Sequence, residues 1–143
     1  MSATLRINAS LVEPAFLADV VELLNAYTAG MNIRAFVTCG WRDRATEQAG
    51  YDAWKANPAN PKYTNPDNSA HVGENFPDGK ARAVDITLVV DGKDDWTPEH
   101  PAWQGLNAAV LAHPRLHGLA DIGDYDHIEK LHWQRDKGSS VAA

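Results

Sequence analysis

The sequence predicts a small single-domain α+β protein in which an antiparallel sheet is flanked by helices. The chain has 143 residues, which is enough for one buried core. The segment from Pro14 to Ala29 carries apolar residues at helical spacing, whereas Ile33 to Cys39 and Arg82 to Val90 are short, apolar and rich in β-branched residues. No internal repeat or second apolar core divides the chain. We therefore expect one domain over residues 1–143, with 138–143 as a flexible tail.

Local signals mark the bounds of the first elements. Pro14 suits the first turn of a helix, and Gly30 is placed to end that helix. After the strand from Ile33 to Cys39, Asp43 offers an N-cap for a second helix, which is predicted to run through Trp54. The first half of the chain therefore predicts helix, strand, tight turn and helix.

The second half begins with a long loop. Residues 57–79 are crowded with Pro, Asn, Asp and Gly, which favour turns, and a long loop inside a compact domain is often functional. After the strand that ends at Val90, Asp91-Gly92 predicts a turn and Pro101 opens a third helix. The segment from Leu131 to Gln134 is predicted as the last strand.

Composition and charge exclude several classes of function. The net charge is −6, so little basic surface is available to bind nucleic acid. A single cysteine allows neither an internal disulfide nor a cysteine-rich zinc site. No apolar run approaches the ~20 residues that span a bilayer, and no signal peptide is recognisable. We expect a monomer that is made in the cytoplasm and binds neither membrane nor nucleic acid.

Two histidines and an aspartate are candidate metal ligands. His71 lies in the long loop, Asp85 lies in the following strand, and His132 lies near the end of the chain. Neutral imidazole and carboxylate are the ligands that catalytic zinc takes, with one position left for water. Glu129 precedes His132 by three residues and could accept a proton from that water. Because six histidines are scattered over the chain, spacing alone does not identify the ligands.

Three motifs, in order, give the chain a family resemblance. The first is Gly40-Trp41-Arg42 followed by a helix that contains Gln48; the second combines Ser69-Ala70-His71 with Ala83-Val84-Asp85; the third is Glu129-x-x-His132-Trp133-Gln134. Together they resemble the zinc peptidases that cut peptidoglycan stem peptides. That family includes D-alanyl-D-alanine carboxypeptidases and dipeptidases, and the L-alanyl-D-glutamate endopeptidases of phage endolysins.

The resemblance implies a fold and a role for each matching residue. The fold would be the hedgehog-like α+β fold of the D-alanyl-D-alanine metallopeptidases. Three residues would bind Zn²⁺: His71, Asp85 and His132. Glu129 would be the general base, and Arg42 would assist substrate binding or the developing oxyanion. Ser69 and Gln48 would contact the substrate.

Two of these assignments have alternatives within the sequence. Family members commonly place the aspartate seven residues after the first histidine, where Asp78 stands, whereas Asp85 follows by fourteen and enters a strand. The segment 73–79 would then be an insertion. Asp124-Tyr125-Asp126-His127 offers a second acid-x-x-His motif, in which Asp124 would be the base and His127 the ligand. We prefer Asp85 and His132. Cys39 is interpreted as a small buried residue rather than a ligand.

The resemblance therefore implies an enzyme, a zinc metallopeptidase that hydrolyses peptidoglycan. An L-alanyl-D-glutamate endopeptidase, an endolysin that stays in the cytoplasm until lysis releases it to the cell wall, is the first expectation. A D-alanyl-D-alanine carboxypeptidase or dipeptidase is the enzymatic alternative. A zinc-containing module that binds the wall without cleaving it, or a phage structural component, is the alternative from another class.

Overall fold

The computed structural model describes residues 3–137 and confirms a small α+β fold with three α-helices and a mixed six-stranded sheet. The predicted tail at 138–143 lies outside the described residues. The helices are α1 (Pro14–Thr28), α2 (Arg44–Ala56) and α3 (Pro101–Ala112). The strands are β1 (Thr4–Leu5), β2 (Ile33–Cys39), β3 (Ala83–Val90), β4 (Lys93–Asp95), β5 (Leu116–Leu119) and β6 (Asp124–Lys130).

The helix boundaries follow the predicted capping signals. The Glu13 side chain accepts a hydrogen bond from the Phe16 N–H at 2.6 Å, and Pro14 occupies the first turn of α1. Asp43 caps α2 by accepting from the Thr46 N–H at 2.6 Å. The three predicted helices are thus confirmed. The loop at 57–79 contains neither α-helix nor strand, only two short 3₁₀ turns.

The sheet has the order β1-β2-β3-β6-β5. The short strand β4 pairs with the last three residues of β3, whereas β6 pairs with the first three. All neighbouring strands are antiparallel except β1 and β2, which are parallel, so the sheet is mixed rather than wholly antiparallel. The predicted last strand at Leu131 to Gln134 is wrong. His132 has φ of 59°, a left-handed conformation that ends the extended chain, and a 3₁₀ turn follows at Trp133–Asp136.

Alternation along β3 divides the sheet into two faces. Val84, Ile86 and Leu88 are fully buried in the main core, where they pack with apolar residues of α1 and α3. Asp85 lies between Val84 and Ile86 and therefore points to the opposite face of the sheet. On β6, Ile128 belongs to the same core, so His127 and Glu129 on either side of it face away from the core. The face opposite α1 and α3 thus collects polar side chains.

A bulge in β2 brings Cys39 to this polar face. Val37 pairs with Ile86 on the core side, but Cys39 then pairs with Asp85, which leaves Thr38 as the extra residue. A bulge changes the alternation of side chains along one strand. On the next strand, Asp85 pairs with His127. Cys39, Asp85 and His127 therefore form a row across three strands.

No helix within residues 3–137 is both long and apolar enough to cross a lipid bilayer.

The position of α3 over the core predicts unequal costs for two leucines on that helix. Leu106 is 1 % exposed and Leu111 is 64 % exposed. Leu106→Ala should lower the free energy of unfolding by about 3 kcal/mol because it removes buried methyl groups and leaves a cavity. Leu111→Ala should change it by less than about 0.5 kcal/mol. Urea denaturation of both variants measures the difference, and equal losses would contradict this packing of α3.

Candidate metal centre

The polar face of the sheet forms the floor of a cavity of about 520 Å³. One wall is the stretch Pro61 to Thr64 of the long loop, and another is the start of β6 with the turn before it. Arg42, His71, Asp85 and His127 all line this cavity. The loop and the sheet therefore bring together residues that lie far apart in the sequence.

Two contacts with neighbouring backbone groups hold His71 in place. It is 5 % exposed, and its backbone carbonyl accepts a hydrogen bond from the Arg42 N–H at 2.9 Å. Its Nδ1 lies 2.7 Å from the Gly40 carbonyl oxygen, which can only accept, so Nδ1 carries the proton. The remaining nitrogen, Nε2, lies 3.4 Å from Oδ1 of Asp85. The orientation of the ring thus directs an available nitrogen at the carboxylate.

His127 approaches the same carboxylate from the neighbouring strand. Its Nδ1 lies 3.5 Å from Oδ1 of Asp85, and its Nε2 lies 2.7 Å from Oε1 of Glu129. The two imidazole rings meet edge to face, with centroids 5.1 Å apart. His71, Asp85 and His127 thus form a cluster. Each histidine has one nitrogen near Asp85, and its other nitrogen contacts an acceptor outside the cluster.

This set of donors fits a metal ion. Histidines that bind metals usually donate their second ring N–H to a carboxylate or a backbone carbonyl, and both histidines have such an acceptor here. Cys39, His71 and Asp85 each offer one ligand atom, and these atoms lie within 4.8 Å of one another, so the three could hold a metal ion together. The Cys39 thiol, which we interpreted from sequence as a buried residue only, thus belongs to the candidate centre.

Burial, neighbouring charges and hydrogen bonds shift the pKa values of three side chains at this site. Burial raises the pKa of Asp85, but the two histidines outweigh it and hold that pKa well below the ordinary value. Burial lowers the pKa of His127, but hydrogen bonds to Asp85 and Glu129 together raise it to about 10. Burial, the Asp85 charge and a hydrogen bond with Asp124 raise the pKa of Asp126 to about 7.

A second network lies beside the cluster and is centred on Glu47. This carboxylate of α2 is 1 % exposed, lies 2.7 Å from Nη1 of Arg42, and accepts a hydrogen bond from the Ser69 hydroxyl at 2.8 Å. The other nitrogen of Arg42, Nη2, contacts Cys39 Sγ at 3.1 Å and lies 3.8 Å from Asp85. Burial lowers the pKa of Arg42, but its contacts with Cys39 and Glu47 raise it well above the ordinary value. Glu47 thus holds Arg42 and Ser69 at the cavity wall.

Sequence reasoning did not select Glu47, because an acidic residue in the first turn of a helix is ordinarily explained by the helix dipole. Its burial results from the packing of α2 against the loop.

The two residues predicted to contact the substrate, Ser69 and Gln48, differ in position. Ser69 lines the cavity, although its hydroxyl donates to Glu47. Gln48 is exposed, donates to Asp52 at 2.8 Å and does not line the cavity.

The structure brings His71 and Asp85 together as predicted but does not bring His132 to them. His132 is exposed and lies outside the cavity, whereas His127, the alternative ligand, lies against Asp85. Asp78, the alternative aspartate, pairs with Arg82 at 2.6 Å instead. Glu129 is at the cavity wall, where Trp133 Nε1 donates to its Oε2 at 3.0 Å.

The apparent insertion at 73–79 has a packing role away from the cavity. None of its residues lines the cavity, and Phe76 packs edge to face on Trp133 at 5.9 Å. A Cβ on Gly73 would overlap the Trp41 indole nitrogen and the Gly79 carbonyl oxygen, so only glycine fits there. The segment thus supports the base of the loop that carries His71.

Comparison with models of known protein families finds no match, and comparison with curated proteins finds no significant match.

The Glu47 network predicts different costs for neighbouring residues of α2. Glu47→Ala should lower the free energy of unfolding by about 3 kcal/mol, because it leaves the Arg42 guanidinium without its buried partner. Gln48→Ala, one residue further along the helix and exposed, should change it by less than about 0.5 kcal/mol. Urea denaturation with circular dichroism measures both values. A loss for Glu47→Ala no larger than that for Gln48→Ala would show that the buried pair contributes no stability.

Proposed function

We propose that this protein is a zinc-dependent peptidase that hydrolyses peptidoglycan stem peptides, with a fold of the hedgehog-like type. The observation that carries the proposal is the cluster of His71, Asp85 and His127 in the cavity. Both histidines direct one nitrogen at the same carboxylate oxygen, at 3.4 Å and 3.5 Å, while their other nitrogens are engaged elsewhere. The order of the sequence motifs supports the peptidoglycan substrate, and an L-alanyl-D-glutamate bond is the expected cleavage site.

The proposed ligands of zinc are His71, Asp85 and His127. A zinc ion bound there would supply Lewis acidity, which lowers the pKa of an attacking water and polarises a peptide carbonyl. With His127 assigned as the second histidine ligand instead of His132, the site still has the histidine-aspartate-histidine set that the resemblance implies. Cys39 offers a ligand atom within 4.8 Å of those of His71 and Asp85, so its thiol could also bind the ion.

Asp124 is the proposed general base. It stands three residues before His127, lines the cavity, and has an oxygen 3.9 Å from His127 Nδ1. Its side chain is 48 % exposed, so water has access to it. Asp124 would accept the proton of the attacking water and deliver it to the leaving amine. Glu129, preferred from the sequence, is less suited because both of its oxygens already accept hydrogen bonds.

Arg42 is the proposed cationic group of the cavity. Glu47 holds one side of its guanidinium, and Nη2 faces the cluster between Cys39 and Asp85. A guanidinium in this position can donate to an oxygen of the substrate or to the negative charge that develops on the attacked carbonyl. Tyr63 lies over the same guanidinium, with its ring centre 5.1 Å from Cζ. The loop wall therefore also restricts the orientation of Arg42.

Digestion of purified peptidoglycan by the zinc-loaded protein tests the function and the choice of histidine. We expect new glutamate amino termini, detected by amino-terminal labelling and mass spectrometry. His127→Ala should abolish their release because it removes a ligand, whereas His132→Ala should retain it. Release of free D-alanine instead would indicate a carboxypeptidase. Activity that depends on His132 and not on His127 would contradict the proposed ligands, and no cleavage by the zinc-loaded protein would favour a wall-binding role.

The role of Asp124 predicts a loss of turnover without loss of metal. Asp124→Asn should lower the rate on a soluble stem peptide by at least about 100-fold, since it removes the proton acceptor. Zinc content, measured by atomic absorption after dialysis, should not change. Asp121→Asn is a matched control, because Asp121 is exposed on the preceding turn and does not line the cavity. Full activity in Asp124→Asn would exclude Asp124 as the base.

A further inference from the structure

Glu129 is held on both sides of its carboxylate. The side chain is 12 % exposed and lies at the end of β6, two residues after His127 on the same face of the sheet. Oε1 lies 2.7 Å from Nε2 of His127, and Oε2 accepts a hydrogen bond from the Trp133 indole nitrogen at 3.0 Å. Trp133 is itself 3 % exposed and packs against Phe76. The carboxylate is therefore fixed relative to both the strand and the turn that follows it.

This arrangement determines which nitrogen of His127 can bind a metal. A carboxylate accepts hydrogen bonds, so Nε2 of His127 carries a proton when it contacts Glu129. A neutral imidazole with a proton on Nε2 has its lone pair on Nδ1, and Nδ1 is the nitrogen that lies 3.5 Å from Asp85. The contact with Glu129 thus keeps a proton on Nε2, so that the lone pair left when a metal ion displaces the proton of Nδ1 points at the cluster.

We propose that Glu129 is a positioning residue that holds His127 in the tautomer and orientation needed to bind the metal through Nδ1, with Trp133 as the anchor of its second oxygen. The inference rests on the proposed function, since it deepens the description of the same metal centre. It assigns Glu129 a role different from that of the base, and it gives the indole of Trp133 a part in the metal site.

Two donors make a carboxylate necessary at this position. The N–H groups of His127 and Trp133 both require an acceptor, and a carboxylate supplies two. A glutamine supplies only one, so its NH₂ group would face one of the two N–H donors. Glu129→Gln should therefore disturb the site although its shape is almost unchanged. Replacing Trp133 by phenylalanine removes one donor, so in the double variant the amide oxygen of the introduced glutamine can face His127.

The experiment measures zinc affinity by competition with a chromophoric chelator for the wild type and five variants, one of which is His127→Ala. Glu129→Gln should weaken binding about 10- to 100-fold, as loss of a carboxylate partner of a ligating histidine commonly does. Trp133→Phe should change the affinity only a few-fold, and the double variant should recover most of what Glu129→Gln loses. Glu99→Gln, at an exposed position, should bind zinc like the wild type. In the zinc-loaded wild type, ¹⁵N NMR should show the proton of His127 on Nε2.

The outcomes separate this inference from the proposed function. If the wild type binds zinc and Glu129→Gln binds it equally well, Glu129 does not position His127. Unchanged zinc affinity combined with lost cleavage in Glu129→Gln would identify Glu129 as the base and overturn the positioning role. A double variant that binds no better than Glu129→Gln would refute the part assigned to Trp133. If the wild type binds no zinc, or His127→Ala binds it as tightly as the wild type, the proposed metal centre itself fails.

Discussion

The contact of the half-buried Asp85 carboxylate with two histidines is the interaction around which the polar face of the sheet is organised. Its oxygen Oδ1 lies within 3.5 Å of a ring nitrogen of both His71 and His127. A carboxylate on the face of a sheet needs such partners, because an unpaired buried charge is strongly destabilising. The loop that carries His71 and the strand β6 that carries His127 must therefore both meet β3 at this residue.

The long loop is positioned by contacts that reach this centre from the side. Glu47 of α2 holds Arg42 and Ser69, while the Gly40 carbonyl orients His71. These contacts join the turn after β2, the start of α2 and the residues just before His71. Buried polar groups that lose a partner in such a network destabilise the fold, and this favours the single arrangement of the loop in which all of them are paired. Polar contacts thus stabilise the walls of the cavity, whereas burial of apolar side chains stabilises the opposite face of the sheet.

Local patterns predicted the helices and two central strands well. Proline and capping residues mark the starts of α1 and α2, and β-branched runs mark β2 and β3. The strands β5 and β6 were missed for a physical reason. Only a few of their residues, such as Leu116 and Ile128, enter the core, and most of the others are polar or glycine, so no alternating apolar pattern appears. Their extended conformation depends on pairing with each other and with β3.

The sequence by itself determined the α+β class, the long loop and two members of the cluster, His71 and Asp85, because these follow from local composition and from motifs. It left two acid-x-x-His motifs near the end of the chain, and spacing could not decide between them. In the tertiary structure, strand pairing places His127 opposite Asp85 on β6, whereas His132 adopts a left-handed conformation beyond the end of that strand. Register between distant strands arises from the packing of the whole sheet, so the position of His127 beside Asp85 and the surroundings of Glu129 are determined only in the folded protein.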